Sequence, residues 1–194
     1  MHKRCYRNHT EKRTLMVNLA TVKQKAAEAD AKQGTGGLMT RKVDAAAKTM
    51  LKQKVNPNQI WAVVGVFDRS GSMGNEYADG TVQELAERVL AFSVIVDDDG
   101  TVPTFFFDHD VFRREIKLND FHGYLKKNGI RAGGSTGLTE ALEAVAKETG
   151  NGDLLGGGFF HRAAAAPTAK KAATPSFVVI VTDGRPDNAA SARD

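Results

Sequence analysis

The apolar run at residues 60–67, followed directly by Asp68, Ser70 and Ser72, constrains the fold more than any other feature of the chain. A run of this length without a charged residue predicts a strand that is buried on both faces, as in a parallel sheet covered by helices. Beyond it, one carboxylate and two hydroxyls on alternate residues place hard oxygen atoms close together, which suits a hard cation such as Mg²⁺. The pattern predicts a metal site at the end of a buried strand.

The residues after this loop alternate between helical and strand patterns. A helix with one apolar stripe is predicted over 81–96, and strands are predicted over 102–107 and 111–118. The connection between these two strands is very short, so the second is predicted to return antiparallel at an edge. The remaining predicted elements are helices over 119–128 and 137–149 and a strand over 176–182. We therefore expect an α/β, Rossmann-like fold with a mostly parallel sheet and helices on both faces.

Such a sheet would bring distant parts of the chain together. In open α/β sheets, ligands bind outside the carboxyl ends of the strands, where the strand order reverses. Asp68 and Asp183 each follow a predicted apolar strand, and the loop that carries Thr136 precedes the second of these strands. We expect all three to meet at one rim of the sheet.

Two further segments, at 133–142 and 177–184, complete a recognisable pattern with the Asp68-x-Ser70-x-Ser72 loop. Together and in this order they resemble the metal-ion-dependent adhesion site of von Willebrand factor A (vWA) domains. The stretch 80–110 further resembles bacterial vWA proteins associated with tellurium resistance and stress response. The resemblance extends over about residues 59–188 and implies a vWA-type fold.

The resemblance also implies a ligand set for a divalent ion, which is Mg²⁺ or alternatively Mn²⁺ or Ca²⁺. Ser70 and Ser72 would coordinate directly through their hydroxyls, and Thr136 directly or through water. Asp68 and Asp183 would act mainly through bound waters and hydrogen bonds. Neutral direct ligands leave the ion electrophilic, so an open position could accept a carboxylate from a partner protein, which is how the family typically binds.

Several neighbouring residues are given supporting or minor roles. Gly71 and Gly74 are expected to let the metal loop turn tightly, and Gly133 and Gly134 to allow close backbone approach near the ion. Residues 108–110 lie at the predicted hairpin and are interpreted as a polar turn at the rim, outside the site.

Residues 1–58 are predicted to form a basic, partly helical or disordered extension. The net charge of +4 originates in this third of the chain, where Lys and Arg outnumber Asp and Glu. Residues 1–14 lack periodicity, which predicts disorder. Tyr6 is the only aromatic residue of the extension, and no base-reading motif is present, so a nucleic-acid partner is not expected.

Two helices are predicted within this extension. One covers 40–55, with Thr40 as its N-cap and Pro57 as its stop. The other covers 21–32, and the glycines between the two predict a flexible joint that leaves their relative position open.

The vWA-like domain itself is predicted over 59–194, with a flexible insertion at about 150–174. Few residues follow Asp183, whereas vWA domains continue with a helix, a strand and a final helix. We therefore expect a domain that is incomplete at its C-terminus and a sheet edge through which the chain could self-associate.

These observations predict a cytoplasmic, non-enzymatic, metal-dependent protein-interaction module in a tellurium-resistance or stress-response system. No membrane association is expected, because no run approaches the roughly 18 apolar residues that span a bilayer. The alternative is a bacterial or phage structural or assembly protein whose metal site is a fold staple. A metal-dependent phosphohydrolase is less favoured, because Ser70 stands where haloacid-dehalogenase-type enzymes carry a second Asp as general acid and base.

Overall fold

A four-stranded sheet forms the centre of the protein. The computed structural model describes residues 19–53, 61–97, 100–149 and 175–184. The strands are β1 (Ala62–Asp68), β2 (Thr101–Phe107), β3 (Val111–Lys117) and β4 (Ser176–Val181). Among these residues the strand order is β3-β2-β1-β4, with β1 parallel to both β2 and β4 and with β3 antiparallel to β2. The predicted mostly parallel sheet with an antiparallel edge strand is confirmed.

Helices cover both faces of this sheet. They are α1 (Leu19–Gln33), α2 (Leu38–Lys52), α3 (Gly74–Ala78), α4 (Thr81–Val96), α5 (Tyr124–Lys127) and α6 (Leu138–Glu148). Val63 and Phe67 share a core with α1, α2 and α4, whereas Val64 and Val66 pack with α6. Alternate residues of a strand point to opposite faces, so α6 lies on the other side of the sheet. None of the described helices is long and apolar enough to cross a bilayer.

Helix α4 lies between the sheet and α2, which explains why its sequence is apolar around most of its circumference. On its outer side, the Glu87 carboxylate is buried and lies 3.4 Å from Lys42 Nζ of α2. Gln83 donates a hydrogen bond to Glu87 and another to the main-chain oxygen of Phe121, and it accepts one from the Leu125 amide. These polar contacts connect α4 to α2 and to the segment around α5.

Helices α1 and α2 form a hairpin with a defined turn. The glycines of the predicted flexible joint, Gly34, Gly36 and Gly37, all have positive φ angles of 58–82°. The buried Asp30 carboxylate accepts hydrogen bonds from the Met39 amide at 2.9 Å and from the Thr40 amide at 2.9 Å, and also from the Thr40 and Thr35 hydroxyls. The prediction that Thr40 is the N-cap of α2 was therefore wrong, because a residue of α1 satisfies the free amides at the start of α2.

A second correction concerns the helix predicted over 119–128. The structure has a 3₁₀ turn at Leu118–Asp120 and then the single turn of α5. Gly123 has a φ of +63°, which interrupts the helix, and the Phe121 side chain is fully buried between the two parts. Burial of this aromatic ring takes precedence over a continuous helix.

Some predictions fall outside the described residues. These are the disorder of residues 1–14, the helix stop at Pro57 and the insertion at 150–174. The division of the chain near residue 58 stays a prediction.

Strand β4 is the outer strand of the sheet within the described residues. Phe177 and Val179 pack toward α2 and α4, whereas Val178 and Ile180, on the opposite face, are about 40% exposed. Among the described residues, α6 covers this face of the sheet at β1 and β2 but not at β4.

Replacing Asp30 with Asn tests the joint between α1 and α2. Burial opposes ionisation of Asp30, but the hydrogen bonds from Thr35, Thr40 and Met39 outweigh it and hold the pKa of this carboxyl below its ordinary value of 3.8. The charged form therefore stabilises the fold above pH 3.8, and this contribution is lost as the pH falls through the lower pKa of the folded state. At neutral pH, Asp30→Asn should lower the free energy of unfolding by about 1–3 kcal/mol in urea denaturation.

Asp44→Asn is the matched control, because Asp44 forms an exposed ion pair with Lys23 across the same hairpin. Its effect should stay below about 1 kcal/mol. Equal effects of the two substitutions would contradict the capping role of Asp30. A loss of unfolding free energy in Asp30→Asn that does not become smaller at acidic pH would also contradict it.

Candidate metal centre

Three polar residues leave the sheet side by side at the carboxyl ends of the parallel strands. Asp68, the last residue of β1, is opposite Phe107 of β2, and Phe67 is opposite Val181 of β4. The next residues of β2 and β4 are Asp108 and Thr182, so both emerge next to Asp68. Strand register alone thus brings three separate loops to one rim, as expected for an open α/β sheet.

The Asp68 carboxylate is fully buried and ties two of these loops together. One oxygen accepts a hydrogen bond from the Ser70 amide at 2.7 Å, which fixes the turn that follows β1. The other accepts a hydrogen bond from the Thr182 hydroxyl at 2.6 Å. Because both oxygens are held by the protein, Asp68 shapes the loop that presents Ser70 and Ser72.

A continuous chain of oxygen atoms runs from this loop to the loop after β4. Ser70 Oγ lies 3.1 Å from Ser72 Oγ, and Ser72 donates a hydrogen bond to Asp183 Oδ1 at 3.0 Å. Ser70 is buried, whereas Ser72 and Asp183 are exposed. The oxygen cluster is therefore rooted in the protein on one side and open to solvent on the other.

The loop before α6 closes against the same cluster. The Gly71 amide donates to the main-chain oxygen of Gly134 at 3.0 Å, and the Gly133 amide donates to that of Arg69 at 2.6 Å. Thr136 is largely buried, and its Oγ1 lies 3.9 Å from the position that a Cβ atom would take at Gly184. This loop therefore reaches the loop after β4 as well.

The structure thus brings all of the predicted site residues to one rim. They are Asp68, Ser70, Ser72, Thr136 and Asp183. Their role as metal ligands stays a prediction.

Sequence reasoning missed Arg69 and Thr182 and placed Asp108 in a polar turn outside the site, but all three lie next to the predicted ligands. Arg69 Nε lies 2.7 Å from Asp108 Oδ2, and its guanidinium carbon lies 4.9 Å from the centre of the Phe112 ring. Neither atom of the ion pair completes an aligned hydrogen bond among the described residues, so charge attraction holds the contact. Asp108 could have been predicted from the sequence as a residue of the site, because it follows an apolar strand in the same way as Asp68.

Gly134 makes the close approach expected of it, whereas Gly71, Gly74 and Gly133 are not needed for the reasons expected. Gly71, Gly74 and Gly133 have no positive φ angle, so the tight turns predicted for Gly71 and Gly74 do not depend on glycine. Gly134 has a φ of +95°, and a Cβ atom there would lie 2.7 Å from His109 Nδ1. At Gly137 it would lie 2.6 Å from the main-chain oxygen of Asp108. Glycine is needed where this loop packs against the turn after β2.

The Tyr77 hydroxyl adds no negative charge to the rim. Burial raises the pKa of Tyr77 well above its ordinary value, and the nearby carboxylates of Asp68 and Asp108 raise it further, against the opposing effect of Arg69. Tyr77 is therefore neutral at physiological pH.

The donor atoms fit a small hard cation. No group of three or more His, Cys, Asp and Glu side chains able to hold a metal occurs among the described residues. Hydroxyl and carboxylate oxygens suit Mg²⁺, whose ligands at 2.0–2.1 Å in an octahedron lie about 3 Å from one another. The spacings along the Ser70, Ser72 and Asp183 chain are 3.0–3.1 Å. These are ordinary hydrogen-bond distances, and they are also compatible with neighbouring ligands of Mg²⁺ or the similar Mn²⁺.

Most of the chain matches a known protein family. The family vWA-TerF-like, described as the vWA found in TerF C terminus, matches residues 60–194. The chain belongs to this family. The predicted relationship to vWA proteins is confirmed at this level. The matched region begins beyond α2, so the α1–α2 hairpin of this TerF-type vWA protein lies outside the matched region.

The chain is also similar to the "Uncharacterized protein YcbR" of Bacillus subtilis (strain 168), with 35% identity over 77 residues. The similar segment covers 39% of this chain and 32% of the relative, so the chain spans about a third of the length of the curated relative it matches. No solved structure matches the chain.

The loop at residues 133–137, here named the glycine loop, packs so that alanine should have unequal effects at two adjacent positions. Gly134→Ala should lower the free energy of unfolding by at least about 1 kcal/mol, because it puts a side chain into a left-handed conformation and against His109. Gly133→Ala is the matched control, since a Cβ atom there meets open space. Urea denaturation measures both variants, and equal stability of the two would show that the loop does not pack as described.

Proposed function

We propose that this TerF-type vWA protein is a divalent-metal-dependent protein-interaction module whose ion is Mg²⁺. The observation that carries the proposal is the contact of Ser70 and Ser72, from the loop after β1, with Asp183 from the loop after β4 at a solvent-open rim. Such a group, held by buried anchors and exposed on one side, is suited to bind an ion and present it to a partner.

The roles of the individual residues follow from their surroundings. Ser70 and Ser72 supply neutral direct ligands, and Thr136 completes the set from the opposite loop. Asp183 faces the ion through its exposed carboxylate, and Asp68 acts indirectly, because its oxygens are engaged by Ser70 and Thr182. When bound, the ion supplies a positive charge. The nearby carboxylates neutralise only part of this charge, so the ion can attract an acidic side chain of a partner protein.

A binding role is better supported than a catalytic one. A nucleophilic aspartate needs an accessible oxygen, whereas Asp68 is fully buried and accepts hydrogen bonds on both oxygens. Ser70 occupies the position at which a phosphohydrolase of the type considered above has its general acid and base. We therefore propose a non-enzymatic protein that acts in the cytoplasm, in a tellurium-resistance or stress-response system.

One observation bears on the alternative of a structural protein stapled by its metal. Hydrogen bonds between protein groups join the loops directly, between Gly71 and Gly134, between Gly133 and Arg69, and between Thr182 and Asp68. A metal ion would be required to hold the loops together only if such hydrogen bonds were lacking. Removal of the ion should therefore leave the fold intact, which circular dichroism in EDTA can check.

Calorimetric titration of metal-stripped protein tests the ion site. The wild-type protein should bind a single Mg²⁺ or Mn²⁺ ion, and the double variant Ser70→Ala/Ser72→Ala should bind it at least about tenfold more weakly, because two direct oxygen ligands are lost.

The control is Ser135→Ala, which removes an exposed hydroxyl from the loop of Thr136 without touching a proposed ligand. It should keep the wild-type affinity, and circular dichroism should show that all variants are folded. A folded wild-type protein that binds neither ion would refute the proposal.

Relaxation of water protons distinguishes an open site from a closed staple. Mn²⁺ bound in an open site keeps exchangeable water, so the Mn²⁺-loaded protein should shorten the longitudinal relaxation time of bulk water more than free Mn²⁺ does. Acetate, as a probe for a partner's carboxylate, should reduce this enhancement. Tight Mn²⁺ binding without any enhancement would mean that the protein fills every coordination position, and it would favour the staple.

A further inference from the structure

We propose that Arg69 and Asp108 are positioning residues of the metal centre, whose ion pair, with Asp108 buried and Arg69 partly exposed, holds the two hydroxyl-bearing loops in place. This inference rests on the proposed function, since it names residues that would set the affinity of the same ion site. Neither residue is proposed as a ligand.

Arg69 lies between Asp68 and Ser70 and is held at both its main-chain and side-chain groups. Its amide donates to the main-chain oxygen of Phe107 at 2.8 Å, and its own main-chain oxygen accepts from the Gly133 amide at 2.6 Å. Its side chain reaches Asp108 and covers the ring of Phe112. The peptide units on both sides of this residue are therefore fixed relative to β2 and to the glycine loop.

Asp108 holds the opposite loop. Its side chain is entirely buried, with one oxygen accepting from the Asp110 amide at 2.8 Å and the other facing Arg69. Its main-chain oxygen accepts from the Gly137 amide at 2.7 Å, next to Thr136. Residues 134 and 137 approach Asp108 so closely that only glycine fits without displacement.

The ion pair thus connects the residue that supports one loop to the residue that supports the other. Arg69 determines the course of the loop with Ser70 and Ser72, Asp108 determines that of the loop with Thr136, and their contact at 2.7 Å sets the separation of the two loops. Groups that orient metal ligands from behind commonly change metal affinity by 10–100-fold when they are lost.

A purely electrostatic role of Arg69 predicts the opposite sign. The guanidinium is a positive charge close to the cation site, so its removal would strengthen binding if charge alone mattered. If positioning dominates, removal weakens binding although a repulsive charge has gone. Arg69→Met is the informative variant, because it keeps an apolar stem over Phe112 and removes the ion pair.

The experiment measures Mn²⁺ affinity of the full chain by electron paramagnetic resonance of free Mn²⁺. We expect Arg69→Met and Asp108→Asn each to weaken binding about tenfold or more. Arg69→Lys, which keeps a cation for Asp108, should recover part of the affinity.

Asp110→Asn is the matched control, since it removes an exposed carboxylate from the same turn. It should change the affinity less than about threefold. Tighter or unchanged binding by Arg69→Met, or equal losses in Asp110→Asn and Asp108→Asn, would overturn the proposal.

Amide hydrogen exchange of the metal-free protein provides an independent readout. In Asp108→Asn, the amides of Gly71, Gly133 and Gly137 should exchange faster, while that of Val66 in the central strand keeps its wild-type rate. Faster exchange at Val66 as well would indicate general destabilisation and would overturn the positioning role. If the wild-type protein binds no Mn²⁺, the proposed function fails, and these exchange rates alone decide whether the ion pair holds the loops.

Discussion

The parallel pairing of β1 with both β2 and β4 is the constraint on which the rest of the site depends. This pairing places Asp68 at the level of Thr182 and beside Asp108, so three loops start from one rim. A shift of register by one residue would turn the side chains of a strand to the other face of the sheet and would remove the Asp68 carboxylate from its partners. The tightly packed apolar residues of β1 prevent such a shift, because they are buried on both faces.

Hydrogen bonds between protein groups hold the oxygen cluster in place. Hydrogen bonds to Asp68 hold the loop after β1 and the loop after β4, and backbone bonds join the first of these to the glycine loop. A site that is already shaped loses less conformational entropy when it binds. The ion pair of Arg69 with the buried Asp108 carboxylate holds the same loops from the side of β2.

The α1–α2 hairpin extends the core beyond the part of the chain that matches the TerF-type family. Its apolar residues, including Val22, Ala26 and Val43, share one core with α4 and the central strand, and the ion pair of Lys42 with Glu87 lies at the contact of α2 with α4. Helix α4 begins shortly after the metal loop. The hairpin therefore supports the helix that follows the candidate site, on the face of the sheet opposite to α6.

The sequence by itself determined the α/β class and the antiparallel return of the edge strand, because strand and helix periodicity and a short connection are local patterns. It also indicated the residues of the candidate ion site, through the Asp68-x-Ser70-x-Ser72 spacing and the resemblance of three ordered segments to vWA domains. It could not determine the cap of α2 or the break before α5, since Asp30 acts from another helix and Phe121 from the core. It also did not indicate Arg69 and Asp108 as partners. Only the tertiary structure decided these features, because each depends on atoms that are distant along the chain and become neighbours through packing and strand register.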